Sequence, residues 1–513
     1  MSKRAADGGC EGRPPNKRQY TLATKIESAL QTAIHSAAID LKQAASVHNQ
    51  ARPVWSIPDE VLLSIGSYLS TGDLVNLCLT TERFCNVFQD VLYHSLDFMA
   101  FERSISQSRS ARLYNRAVAR SLKALLVRPH LRQKILNLEM PFGRGGTMMS
   151  TVMNELVDTP ILHNLPFLYD PQYKRTVSLC FLALAGNLQK LNYRTERSTK
   201  AEEMPRNDDL EVQLFQDAVS DADDQPAYKG IRNIQEIIFT PGRIYAKRVL
   251  NLILQLPSLQ KLTVRRQLSV STHAPYTLIL DIPAACSTVT HLDLGSAGGL
   301  QKQEKSLLIK ACKTLQHIRG CSDLLQSHSM LESLSTHQKA LKSIHCCYEE
   351  NEDQEDDLVT SIPNLTEFET LETLILEQPK PFSCPDTTVF NPLFIFGAIH
   401  TERMTIEAYQ RRHYSRNWPR QHLADVLPPS IANITIPIDE LNKHHLLTEL
   451  QTTVESKQLP NLRSVSLVFR AAEFDSLRGM TKQFIPVEEE LQELKAILGV
   501  RGVRLSWTEE SPT

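Results

Sequence analysis

The 513-residue sequence lacks the motifs that usually mark an active site. It contains no glycine-rich phosphate loop, no HExxH motif and no GxSxG motif. None of its ten cysteines belongs to a CxxC pair or to a cluster with histidine. We therefore predict a protein without catalytic residues, metal ligands or a cofactor.

The sequence also lacks a long apolar run and an excess of charge of either sign. No apolar segment approaches the roughly 18 residues that a membrane helix needs, and the residues after Met1–Arg4 are small and polar, unlike a signal sequence. A net charge of −2 and a pI near 6.8 argue against chain-wide contact with nucleic acid or a membrane surface. We expect a protein of the cytoplasm and/or the nucleus, without membrane contact and with reduced thiols.

What the sequence does contain is a dense helical pattern between residues 53 and 98. Ser56 is the expected cap of a first helix, Pro58 and the acids after it suit its first turn, and apolar residues then recur at helical spacing. A turn at Ser70–Asp73 precedes a second helix, and a third begins near Glu82 with apolar residues as far as Leu96 facing inward. Three short helices bury only a small core, so much of their apolar surface must meet the rest of the chain or a partner.

This pattern resembles the F-box family, although an ordinary three-helix segment of a larger α domain is the alternative. Arg83 and Phe84 stand at the family's basic-aromatic position, and Gly66 and Phe84 replace its usual bulky aromatic and tryptophan. The other matching residues are Ile57–Glu60, Val61–Ile65, Ser67–Leu69, Asp73–Leu74, Leu77 and Leu92–Tyr93. The resemblance implies docking on a Skp-type adaptor that is held by a cullin. The residues at the family's adaptor-contact positions are Ile57, Pro58, Leu62, Ile65, Leu69, Leu74 and Leu77.

From about residue 131 to residue 510 the hydrophobic period changes to a recurring LxxLxL spacing or a looser apolar form of it. Its last apolar position recurs after 25 residues from 239 to 264, after 30 from 264 to 294 and after 30 from 346 to 376. Alternating residues of a short strand would send the L-x-L pair into a core and leave the residues between them outward. Clear copies end at Tyr193, Phe239, Val264, Leu294, Cys346, Leu376, Ile436, Leu467 and Leu505, with a partial copy at Leu315 and Ile318.

This spacing resembles irregular leucine-rich repeats, whereas an α/β domain with unrelated short strands is the alternative. The predicted fold class is α+β, a three-helix F-box followed by an α/β leucine-rich-repeat solenoid. In such an array the outward strand residues line one concave face, which is where the resemblance places a substrate. The outward candidates are Lys261, Thr263, His291, Asp293, Lys342, His345 and Arg463.

The segments before and after the F-box pattern have weaker signals. Residues 1–20 predict a disordered basic tail, whose pairs Lys3-Arg4 and Lys17-Arg18 fit a bipartite nuclear-import signal or a solvated tail. Residues 21–50 predict an amphipathic helix that packs against the rest of the chain or self-associates. Residues 99–130 predict linking helices.

Three insertions interrupt the repeats. Residues 201–224 carry nine acids and residues 349–357 carry seven, which predicts solvated loops. Residues 377–426 contain a basic-aromatic stretch at 411–420. This stretch fits either contact with phosphate or a surface loop whose aromatic side chains pack inward.

Together the two resemblances imply a non-catalytic substrate-recognition subunit of an SCF-type ubiquitin ligase. The F-box would dock on the adaptor, and the repeats would bind an unknown protein substrate. The alternative is a non-catalytic nuclear scaffold that uses the repeats and binds the adaptor outside a ligase. Binding of nucleic acid is less favoured, because it depends on residues 411–420 alone.

Overall fold

The chain divides into two compact units, Met1–Phe88 and Gln89–Thr513. The computed structural model describes residues 57–69, 71–98, 110–139, 176–194, 207–220, 229–240, 246–265, 282–296, 300, 302–321, 323–326, 328–347, 364–377, 423–438, 443–470 and 488–510. The predicted basic tail, the amphipathic helix at 21–50, the acidic insertion 349–357 and the basic-aromatic stretch 411–420 lie outside these residues.

Three helices occupy the described part of the first unit and the chain just after it. They are α1 (Asp59–Gly66), α2 (Thr71–Cys78) and α3 (Glu82–His94). Asp59 and Glu60 lie in the first turn of α1, where carboxylates interact favourably with the helix dipole. The predicted Ser56 cap differs from the structure, in which Pro58 holds the cap position without a side-chain hydrogen bond.

The helices of the first unit share a small core and one ion pair. Leu62 of α1, Leu74 of α2, and Val87 and Phe88 of α3 are buried. The Arg83 guanidinium donates to the Asp59 carboxylate at 2.6 Å and also to the Ile57 carbonyl, which ties the start of α3 to the start of α1. The basic residue of the basic-aromatic pair therefore has a structural partner inside this unit.

The described residues of the second unit form one parallel sheet of twelve strands, in which each strand pairs with its neighbours in the order of the chain. The strands are β1 (Ser95–Asp97), β2 (Asn137–Glu139), β3 (Lys190–Arg194), β4 (Glu236–Thr240), β5 (Lys261–Arg265), β6 (His291–Ser296), β7 (His317–Cys321), β8 (Ser343–Cys347), β9 (Thr373–Leu376), β10 (Asn433–Ile438), β11 (Ser464–Arg470) and β12 (Arg504–Glu510). Sequential parallel pairing of this kind is compatible with a solenoid.

The strand register aligns equivalent residues into rows that run across the whole sheet. The inner row is Leu96, Leu138, Leu191, Ile237, Leu262, Leu292, Ile318, Ile344, Leu374, Ile434, Val465 and Leu505. From Leu138 onward every residue of this row is buried, and all of these belong to one hydrophobic cluster. The residues immediately before and after the inner row form two outer rows, because strand side chains alternate between the faces.

The helices between the strands supply the other side of that core. They are α4 (Ser110–Val127), a 3-10 helix (Pro129–Lys134), α5 (Thr176–Leu184), α6 (Asn207–Val219), α7 (Lys229–Arg232), α8 (Ala246–Leu254), α9 (Lys302–Ala311), α10 (Asp323–Gln326), α11 (His328–Ser335), α12 (Leu423–Val426), α13 (Lys443–Ser456) and α14 (Glu488–Val500). Leu122 and Leu126 of α4, for example, are fully buried in the cluster. The helix at the position of the predicted linker thus packs into the core of the second unit.

Three further sequence predictions differ from the structure. The acidic segment 201–224 contains a helix, α6, whose Phe215 is buried and meets Tyr193 edge-on at 5.7 Å, so residues 207–219 are not a solvated loop. Leu96 lies on β1 and not in α3. In the last copy of the spacing Val500 is 85% exposed, because the register aligns Leu505 with the inner row and Trp507 with Leu467.

None of the described helices combines the length and the apolar character that a membrane crossing requires.

Candidate docking surfaces

The first candidate surface is made of exposed apolar side chains on α1 and α2. Val61, Ile65 and Tyr68 recur at helical spacing along α1 and just beyond it, and they are 46%, 44% and 85% exposed. Val75 and Leu79, four residues apart, are 45% and 80% exposed. Exposed apolar side chains that follow a helical stripe, and are not scattered singly, are typical of a surface that another protein covers.

The structure separates the predicted adaptor contacts into buried and accessible residues. Leu62 and Leu74 are core residues of the first unit, and their exposed fractions are only 4% and 5%. Pro58 and Ile65 are exposed, whereas Ile57, Leu69 and Leu77 are half-buried. The helical spacing predicted Val61 and Tyr68 only as members of the apolar stripe. It did not predict that Val75 and Leu79 lie at the surface. The helical period was the available signal, but the period alone does not say which edge of a stripe is covered.

A family model described as F-box-like matches residues 54–99. This segment is F-box-like. The matched residues agree closely with the segment 53–98 that the sequence analysis assigned, and they include α1, α2, α3 and β1. The F-box-like domain is a small part of the chain, so the match characterises this segment and not the rest of the chain. No curated protein matches the chain.

The second candidate surface is formed by the outer rows of the sheet in the second unit. The first outer row is Ser95, Asn137, Lys190, Glu236, Lys261, His291, His317, Ser343, Thr373, Asn433, Ser464 and Arg504. On β3 to β5 this row is an ion ladder, because Glu236 accepts from Lys190 at 3.1 Å and from Lys261 at 3.2 Å. Burial alone would raise the pKa of Glu236, but the hydrogen bonds and charges of the two lysines outweigh burial and hold the pKa below its usual range.

Two histidines follow the ion ladder in the same row. The rings of His291 on β6 and His317 on β7 are stacked, with centroids 4.2 Å apart and planes 20° apart. Partial burial and the nearby charge of Lys261 lower the pKa of His291. Partial burial, His291 and the charge of Lys342 lower the pKa of His317, and Glu372 acts in the opposite direction. Both rings are therefore mainly neutral at neutral pH.

A cluster of three charged or titratable side chains lies further along the strands, beyond the first outer row. His345 Nε2 of β8 lies 2.5 Å from Glu377 Oε1, and the Arg319 guanidinium of β7 is 3.6 Å from Glu377 Oε2. The hydrogen bond from His345 is the main reason that the pKa of Glu377 lies below its usual range, and the charge of Arg319 adds to it. These three residues hold one another, so they present a partner with prearranged polar groups.

From β8 to β11 the first outer row carries small neutral side chains. In the first outer row Asn433 donates to Thr373 Oγ1 at 3.4 Å, and Ser464 donates to Asn433 Oδ1 at 2.7 Å. In the second outer row Thr435 and Ser466 stand side by side. In the first outer row the charged and histidine side chains are therefore continuous from β3 to β7, and Arg504 on β12 lies apart from them.

The predicted substrate residues lie on or beside this face, but not all are accessible. Lys261, His291, Lys342 and Arg463 are exposed, and Asp293 and His345 are half-buried. Thr263 is buried, with 6% exposure, which differs from the expected outward position. Two further residues of the face, His317 and Arg319, were not predicted, although they flank Ile318 of the partial copy. The acids Glu236, Glu372 and Glu377 were not predicted either. Among the described residues, no group of three or more histidines, cysteines or acids has the geometry of a metal site.

Proposed function

We propose that this chain is a substrate-recognition subunit of an SCF-type ubiquitin ligase. An F-box-like domain suggests an adaptor-binding receptor of such complexes, and F-box proteins are generally non-catalytic. In this proposal the F-box-like domain docks on a Skp-type adaptor held by a cullin, and the outer rows of the sheet bind the protein to be ubiquitinated. The observation that carries it is the F-box-like match on a segment whose α1 and α2 expose apolar side chains.

The exposed and buried residues of α1 and α2 have different tasks in this proposal. Val61, Ile65, Tyr68, Val75 and Leu79 enter the adaptor interface, where burial of each large apolar side chain contributes about 1.5–3 kcal/mol. Leu62 and Leu74 support those residues from inside the F-box-like domain. The Arg83–Asp59 ion pair holds the starts of α1 and α3 together. It thereby preserves the arrangement of the exposed apolar side chains.

The chain contributes to ubiquitin transfer by proximity and not by chemistry of its own. A protein bound to the outer rows has its lysines held near the conjugating enzyme, which turns a bimolecular encounter into an intramolecular one. The outer rows carry polar side chains of mixed charge on β3–β9. They therefore suit a polar partner surface better than an apolar segment.

The test uses carboxylates placed on the exposed stripes. Ile65→Asp with Val75→Asp should leave the free chain folded, because both positions reach the solvent, with exposed fractions of 44% and 45%, so that the new carboxylates stay hydrated. In the adaptor complex both carboxylates would be buried, and we expect affinity to fall at least about 30-fold, or about 2 kcal/mol. Adaptor and cullin that co-purify with the full chain are measured by immunoblot, and folding is measured by circular dichroism.

Asn86→Asp on α3 is the control for an added carboxylate, because it places one aspartate at an exposed polar position. It should retain both adaptor and cullin. Wild-type adaptor recovery by a folded Ile65→Asp/Val75→Asp variant would disprove the docking surface. Recovery of the adaptor without cullin from the wild-type chain would instead favour the scaffold.

A further inference from the structure

The stacked pair His291 and His317 is a distinctive feature of the outer rows, and its surroundings indicate what it binds. The Thr290 hydroxyl is 2.9 Å from His291 Nδ1, so Nε2 is the ring nitrogen of His291 that remains available to a ligand. Lys261 and Lys342 act on the pair from the strand before it and the strand after it. Two rings and two ammonium groups therefore share one part of the face.

The electrostatic field at this pair selects an anion and not a metal cation. Partial burial is the main reason that protonation of the rings is disfavoured, and the charges of Lys261 and Lys342 add to it. The same two charges repel a divalent ion. The stacking of the rings, with planes only 20° apart, also directs their nitrogen lone pairs side by side and not toward one common atom. A bound carboxylate would favour protonation of a ring, because its negative charge stabilises the imidazolium beside it. It would also attract both lysines.

We propose that His291 and His317, together with Lys261 and Lys342, form a binding site for a carboxylate side chain of an acidic segment on the captured protein. This proposal rests on the proposed function, since it names the class of protein that the receptor would hold. When the carboxylate binds, one imidazole takes a proton from the solvent and becomes its charged donor. Binding is therefore coupled to the uptake of about one proton and becomes tighter as the pH falls.

The other charged groups around the pair limit the ligand to a short acidic stretch. Glu236 already shares Lys261, Glu372 faces His317 from the next strands, and Glu377 is paired with His345 and Arg319. On the strand of His291 itself, the Asp293 carboxylate accepts from the Gly295 backbone N–H at 2.9 Å. These four acids disfavour a ligand whose negative charge extends along the whole face, as that of a long nucleic acid does, more than a short acidic segment. An acidic protein segment needs to place only one carboxylate between the lysines.

The test is a titration of the full chain with three fluorescent probes: hexaglutamate, hexaglutamine and an oligothymidylate. Glutamate is ionised throughout the range from about pH 6 to about pH 7.5, so the probe itself does not titrate. Uptake of one proton predicts that hexaglutamate binds between about fivefold and about thirtyfold more tightly at the lower pH. His291→Gln with His317→Gln should abolish this pH dependence. Lys261→Gln with Lys342→Gln should weaken binding at both pH values and preserve the pH dependence.

His130→Gln and Lys313→Gln are the matched controls, because both side chains are exposed and lie outside the face. Both should bind hexaglutamate as the wild type does. Absence of hexaglutamate binding, equal binding of hexaglutamine, preferred binding of the oligothymidylate, or an unchanged pH dependence in the folded double-histidine variant would each overturn the proposal. Adaptor recovery is measured on the same samples. If the chain binds the adaptor but not hexaglutamate, only the carboxylate site is disproved. If it binds hexaglutamate but not the adaptor, only the proposed receptor function is disproved.

Discussion

Gly230→Ala is expected to destabilise the second unit, because there is no room for the added methyl group. Gly230 lies in α7, where its backbone passes that of Ala185 at the end of α5. A Cβ built on Gly230 would lie 1.6 Å from the Ala185 carbonyl oxygen and 2.8 Å from its carbonyl carbon. Since the obstacle is backbone and not a flexible side chain, one of the two chain segments must move. Overpacking costs about 1–3 kcal/mol and occasionally more, so we expect a loss of at least about 2 kcal/mol.

Two other glycines separate the effect of contact from the effect of backbone conformation. A Cβ on Gly499, in the last turn of α14, would meet nothing within 4 Å. Gly499→Ala should therefore leave stability unchanged or raise it by up to about 1 kcal/mol, because alanine is the better helix former. A Cβ on Gly502 is equally free of contacts, but its φ of +73° is left-handed. Gly502→Ala should cost about 1–2 kcal/mol through strain alone.

Urea unfolding of the full chain, followed by far-UV circular dichroism, measures all three variants. The midpoint should fall in the order Gly499→Ala, Gly502→Ala, Gly230→Ala, with Gly499→Ala at or above the wild type. Native gel filtration checks that each starting sample is monodisperse. Equal midpoints for Gly230→Ala and Gly499→Ala would refute the close approach of α7 to Ala185.

Two further predictions concern the sheet. Leu292→Ala removes a buried inner-row side chain and should lower the free energy of unfolding by about 2–5 kcal/mol. Lys342→Gln at an exposed position should change it by less than about 0.5 kcal/mol. Equal effects of the two variants in urea unfolding would contradict the assignment of Leu292 to the core and of Lys342 to the surface. The lowered pKa of Glu377 contributes stability that is present above its ordinary pKa of 4.5 and is lost as the pH falls through the lowered value. The wild type should therefore lose more stability than Glu377→Gln between about pH 5 and about pH 3, and parallel stability curves over that range would exclude the role of the His345 contact.

The F-box-like domain shows which features of a helix the apolar period predicts and which it does not. The spacing of Val61, Leu62, Ile65, Tyr68 and Leu69 was enough to predict a helix with a broad apolar stripe, and the F-box-like match at 54–99 confirms the family resemblance of this segment. The stripe alone did not show that Leu62 is buried and Ile65 exposed. That division depends on which edge of α1 the core residues Leu74, Val87 and Phe88 cover.

The acidic segment 201–224 shows the opposite case, in which composition was misleading. Its nine acids predicted a solvated loop, yet α6 forms there and buries Leu214, Phe215 and Ala218. Acids on one side of a helix raise the mean polarity of a segment without touching the side that packs. Only the ring contact with Tyr193, from a strand well before it in the chain, shows where Phe215 belongs.

The sequence by itself determined the local alternation of the strands, because an apolar residue at every second position has one stable arrangement, with the apolar side in a core. It thereby identified most inner-row positions and several outward ones, including Lys261, His291 and Lys342. What only the tertiary structure decided is which outward residues meet across the sheet. His291 and His317 stack, and Lys190, Glu236 and Lys261 form one ladder, because parallel register brings together residues from separate copies of the spacing. The loops between the copies differ in length, so these contacts cannot be predicted from the separation of the residues along the chain.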